Sequence, residues 1–167
     1  MHIDSGGYRG FSKSYDKPVK KLIATANILP LSSMETCLRN TPTEVKILWD
    51  TGASLTFIKP KIRDQLKLCM FKTDASATIA GVGGLFKADF TIISIQLNDY
   101  FTIEYCPVYV LDFPIDSDMI IGMDILSMGD FLVSSADKKT TFSFVVPPLP
   151  ENINLADRAE KLNKQIF

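Results

Sequence analysis

A chain of 167 residues, 46% hydrophobic and 22% charged, has the size and composition of one globular domain with short extensions. A net charge of −1 and a pI near 5.8 exclude the basic surface that nucleic acid or an anionic membrane selects. No apolar run approaches the ~18 residues of a membrane span; the three cysteines, Cys37, Cys69 and Cys106, form no CxxC pair and the single histidine is His2, which excludes a zinc site and Cys–His or Ser–His catalysis.

Residues 1–17 read as a flexible leader. Their Gly-rich, polar start lacks the basic-then-apolar order of a signal peptide, so a cytoplasmic protein with reduced, packed cysteines is expected. A strand is predicted over 20–32, with Pro30 near its end, and another over 44–49. Residues 55–58 stay apolar, and 60–66 form a short helix with Pro60 in its first turn. Strands over 73–80 and 85–97 flank Gly81-Val82-Gly83-Gly84, the signature of a long hairpin. A turn at Asn98-Asp99 leads to a strand over 101–111, interrupted by Pro107. A short strand over 119–122, one or two helical turns over 124–128, and a final hairpin of 131–135 with 140–146 complete an all-β domain spanning 18–148. Residues 149–167 form a proline-rich linker and a polar tail with helical spacing. The sequence carries no internal repeat.

Asp50-Thr51-Gly52 carries the chemistry. It follows the apolar run 45–49 and leads into Ala53-Ser54, which places a carboxylate on a tight turn at the end of a buried strand. Such a carboxylate is half of a catalytic pair in which two aspartates share one proton. This chain supplies the motif once in usable context, so the pair requires a homodimer with the site on its two-fold axis. Asp4-Ser5-Gly6 has the same pattern, but no apolar strand precedes it and too few residues separate it from Asp50 to build a lobe.

Two further segments keep company with the turn: Ile79-Ala80-Gly81-Val82-Gly83-Gly84-Leu85-Phe86 and Ile120-Ile121-Gly122-Met123-Asp124-Ile125-Leu126. An Asp-Thr-Gly-Ala turn, a Gly-rich hairpin, then Ile-Ile-Gly before a short helix resembles the retropepsin family of aspartic proteases. The tryptophan before the motif and the chain length look closer to bacterial than to viral members. The resemblance implies a single-domain closed β-barrel or sandwich with one or two short helices and a flap hairpin, active as a two-fold dimer. It implies an endopeptidase without metal or cofactor, acting on protein or peptide chains bound as an extended strand. Of the two Asp50 carboxylates, one stays protonated toward the substrate carbonyl and the other takes a proton from the attacking water.

In the same resemblance Thr51 braces the partner turn and Gly52 lets the backbone pass close behind the carboxylate. Ala53 stands where some members carry a serine whose hydroxyl donates to the aspartate, so activity in weak rather than strong acid is expected. Ala53, Ala80, Gly81, Val82, Gly83 and Ile121 are the expected substrate contacts, with Val82 at the flap tip and Ile121 in the pocket wall. Asp124 reads as structural and Trp49 as core. The competing reading is a catalytically silent peptide-binding or dimerisation module of the same fold.

Overall fold

Apolar side chains at every second position close the middle of the chain into a barrel. The computed structural model describes residues 6–31, 41–71, 78–81, 84–151 and 153–166, and over 78–81 and 84–87 it describes the backbone course. In chain order the strands are β1 (Arg9–Tyr15), β2 (Leu22–Pro30), β3 (Thr43–Trp49), β4 (Phe57–Ile58), β5 (Thr78–Gly81), β6 (Gly84–Lys87), β7 (Phe90–Asn98), β8 (Phe101–Val110), β9 (Met119–Ile121), β10 (Asp130–Ser134) and β11 (Thr140–Val146). The helices are α1 (Pro60–Leu66), α2 (Met123–Leu126) and α3 (Leu155–Ile166). Ala24, Ala26 and Ile28 of β2 point inward, as do Thr91, Ile93, Ile95 and Leu97 of β7. The barrel closes in the order β2-β3-β9-β4-β8-β7, while β1-β11-β10 forms a separate three-stranded sheet. The all-β expectation holds; among the described residues two short α-helices, α1 and α2, lie between strands, and α3 follows β11. Among the described residues no helix is long and apolar enough to cross a membrane.

The leader differs from expectation over Arg9–Tyr15. All seven residues pair with β11, from Arg9 opposite Val146 to Tyr15 opposite Thr140. Two side chains explain the ordering. Phe11 stacks on Trp49 with ring centroids 5.6 Å apart, and the Tyr15 hydroxyl donates to Ile23 O at 2.5 Å while accepting from Ile23 N–H at 2.6 Å. The long strand expected over 85–97 is two strands, broken at Ala88-Asp89, where Ala88 is buried and Asp89 is exposed. At the expected hairpin, Gly81 pairs with Gly84; Val82 and Gly83 lie outside the described residues.

An ionic network ties β3 and α1 to the approach of β9. Lys46 N–H donates to Asp118 Oδ2 at 2.9 Å and Asp118 N–H returns to Lys46 O at 2.7 Å. Lys61 Nζ lies 2.5 Å from Asp118 Oδ1, and Lys46 Nζ lies 2.6 Å from Asp116 Oδ2. Burial pushes the Asp118 carboxyl up, but the bonds from Lys61 and Lys46, with the charges of Lys61 and Lys59, outweigh it and hold it below the usual range. A carboxylate depressed in the folded state contributes stability above its unfolded value of about 3.9 and loses it as pH falls through the lower folded value. Asp118→Asn is therefore expected to destabilise by on the order of 1 kcal/mol near neutral pH. The gap from wild type should shrink below about pH 4 in thermal unfolding; a gap that widens in acid would contradict the assignment.

Candidate active site

Strand β3 delivers Asp50 from a buried run: Val45, Ile47, Leu48 and Trp49 are all buried, and the next residue, Asp50, is half-exposed. Behind it, β3 and β9 run parallel with Trp49 opposite Ile121. The Asp50 N–H adds one more rung to that ladder, donating to Ile121 O at 3.0 Å. The strand then turns, and Ala53 N–H donates back to Asp50 O at 3.2 Å. Gly52 N–H donates to Asp50 Oδ1 at 2.9 Å, the one donor to that carboxylate among the described residues. A Cβ at position 52 would stand 3.1 Å from the same oxygen, so glycine permits the close approach. Thr51 and Gly52 are exposed, and the turn presents the carboxylate outward.

A second set of bonds holds the far end of the turn. Thr56, fully buried, donates through its N–H to Asp124 Oδ2 at 2.9 Å and through its hydroxyl to Asp124 Oδ1 at 2.7 Å. The same hydroxyl accepts from Gly122 N–H at 3.1 Å. Met123 N–H and Asp124 N–H donate to Ala53 O and Ser54 O at 2.7 and 3.2 Å. The carboxylate of α2 is thus a fork gripping the segment that follows the Asp50 turn. Asn in its place offers one acceptor oxygen where Thr56 presents two donors, so one buried donor loses its partner. Asp124→Asn is expected to cost about 1–3 kcal/mol of stability. Denaturant unfolding reads it, and an unchanged midpoint would remove the fork from the account.

The expected pocket residues separate into two groups. Ile121 is completely buried in the main core with Trp49 and Ile47, so its side chain is core and its carbonyl serves Asp50. Strand alternation puts its neighbour Ile120 on the other face. There Ile120 joins Leu48, Phe57, Ala88 and Phe113 in a smaller cluster, with Ala53, Leu55 and Tyr109 packed against it. That cluster, and not the buried side chain of Ile121, packs against Ala53 and Leu55 of the Asp50 turn. Ala80 and Gly81 lie on the backbone of β5, and Val82 and Gly83 are outside the described residues. Sequence reading missed Thr56 and Ile120. Nothing in the sequence marks Thr56 as a partner of Asp124, 68 positions away. Among the described residues no group of His, Cys, Asp and Glu is arranged to hold a metal ion.

The profile of the gag-polyprotein putative aspartyl proteases matches residues 37–128, a span that contains the Asp50 turn, β9 and α2. The solved structures similar to this chain include EIAV protease complexed with the inhibitor HBY-793, at 25% identity over 65% of this chain and 86% of that one, with a TM-score of 0.46. A retropepsin-like aspartic protease from Rickettsia conorii is 14% identical over 87% of this chain and 97% of its own, with a TM-score of 0.48. The retroviral protease-like domain of Ddi1 from Leishmania major is 16% identical over 78% and 96%, with a TM-score of 0.40. No curated protein matches the chain.

Proposed function

This chain belongs to the family of gag-polyprotein putative aspartyl proteases, and from that membership and the setting of Asp50 we propose that it is an aspartic endopeptidase working as a homodimer. The observation that carries the reading is Asp50 itself, its N–H donating to Ile121 O and its carboxylate accepting from Gly52 N–H, at the head of an exposed turn. One carboxylate cannot act as acid and base together. A second copy brings its own Asp50 across a two-fold axis, and the two carboxylates share a proton. One polarises the substrate carbonyl by donating that proton; the other takes a proton from the attacking water. Thr51, exposed beside each aspartate, braces the opposite turn.

The substrate lies as an extended strand between the turn and the hairpin of β5 and β6, whose Ala80, Gly81, Val82 and Gly83 act as a flap. Ala53 and the wall of Leu48, Phe57 and Ile120 line a pocket suited to large apolar side chains such as Phe, Leu and Met. Cys106 is a buried thiol, which suits the reducing cytoplasm. The test is mass spectrometry of an unstructured protein incubated with wild type and with Asp50→Asn at weakly acidic pH. Cleavage by wild type alone supports the reading. Peptide binding without cleavage by wild type would replace it with a silent binding module.

A further inference from the structure

Trp49 is the single tryptophan of the chain and the residue immediately before Asp50. Its ring is 3% exposed, and its Nε1–H has no hydrogen-bond partner among the described residues. Among the described residues no polar contact fixes the indole, and aromatic packing holds it. Two phenylalanines form parallel plates on it: Phe11 at 5.6 Å and 7° on β1, and Phe131 at 5.9 Å and 6° on β10. Phe142 and Phe144 close the edges at 5.2 and 5.6 Å. Three of these four rings belong to the final hairpin. Phe11 alone comes from the N-terminal strand, which is anchored at its far end by the Tyr15 hydroxyl on Ile23 and along its length by β11.

We propose that Phe11 is a positioning residue for the catalytic aspartate, acting through the Trp49 ring, and that β1 is consequently part of the working enzyme and not a removable leader. The inference rests on the reading of Asp50 as one half of a dyad. Trp49 is clamped to Leu22 on one side and Ile121 on the other, and Asp50 continues the same backbone. A ring that shifts in its slot moves the Trp49 Cα and tilts the Asp50 carboxylate. Two copies of that carboxylate must meet at hydrogen-bond distance, and a displacement of about 1 Å lowers turnover by roughly 100-fold. The apolar cluster of Leu48, Phe57 and Ile120 on the opposite face, proposed above to meet the substrate, is left alone.

The test compares Phe11→Leu with Phe11→Tyr and Tyr15→Phe in the full chain, using wild type and Asp50→Asn as references for turnover. Phe11→Leu removes the plate, Phe11→Tyr keeps it, and Tyr15→Phe loosens β1 without touching Trp49. The expected result is a fall in kcat of about 10- to 100-fold for Phe11→Leu with KM changed far less. A shift in Trp49 fluorescence should accompany it, and both should return in Phe11→Tyr. Tyr15→Phe should lower Tm without lowering kcat. A folded Phe11→Leu with wild-type kcat, or with wild-type emission, overturns the proposal. So does a Tyr15→Phe variant of equal Tm that loses as much turnover, because general loosening would then suffice. If Phe11→Leu does not fold, Phe11→Met fills a similar volume without a plate and carries the same comparison. A wild type that turns over no substrate sinks the reading of Asp50 itself, while the emission comparison still decides whether Phe11 holds the ring.

Discussion

Asp50→Asn is expected to lower peptide-bond cleavage by about 10⁴-fold or more, because general acid–base catalysis accounts for roughly 10²–10⁴ and both roles are lost together. Asn matches Asp in shape and retains an oxygen that accepts the Gly52 N–H, now at 2.9 Å from Oδ1. The turn should persist, and unfolding should move by no more than about 0.5 kcal/mol. What disappears is the negative charge and the shared proton. Mixing the variant with wild type tests the two-fold arrangement separately from the chemistry. With equal amounts of freely exchanging chains, roughly a quarter of the pairs carry two aspartates, so activity is about half of what independent subunits would give. A decline that is linear in the wild-type fraction would refute the dimeric site while leaving Asp50 as a catalytic group. Dilution of wild type should likewise reduce specific activity, since the proposed site needs both copies.

The parts of this fold that were legible in the sequence are those where local pattern and final environment agree. Pro60 begins α1, alternation marks β11, and the apolar run before Asp50 announces a strand buried on both faces. Strand β1 escaped because Arg9–Tyr15 is mostly polar and follows Gly6-Gly7; only Phe11 and Tyr15 meet the core, and their partners lie far along the chain. Strand β4 is two residues long, too short to carry a period. The phase of β9 was unreadable because Met119, Ile120 and Ile121 are uniformly apolar. Its parallel register against Ile47, Leu48 and Trp49 decides which isoleucine faces the core. The Asp50 motif was visible because its chemistry is local. The fork from Asp124 to Thr56 was not, since it exists only after β9 passes beneath the turn.

That passage leads to the second large effect. Gly122→Ala is expected to destabilise by about 3 kcal/mol or more, at the upper end of what overpacking produces. Gly122 is buried at φ −100° and ψ −173°, an extended conformation open to any residue, so the demand for glycine is not conformational. It is steric. A Cβ there would run into the carbonyl group of Leu55 and stand 2.8 Å from Ala53 O. Both obstacles are backbone of the segment that continues the Asp50 turn. They cannot rotate away, and Met123 N–H already holds Ala53 O at 2.7 Å. Relief would require lifting the 53–56 segment off β9, breaking the bonds of Thr56 to Asp124 and Gly122. A fall in Tm on the order of 10 °C should follow, and a variant that melts with wild type would refute the close passage. Gly52→Ala provides the contrast. There the added Cβ meets only the Asp50 Oδ1 atom, at 3.1 Å, and a side chain can move aside. Its Tm should stay near wild type while turnover falls, because the atom that must yield belongs to the carboxylate proposed to do the chemistry.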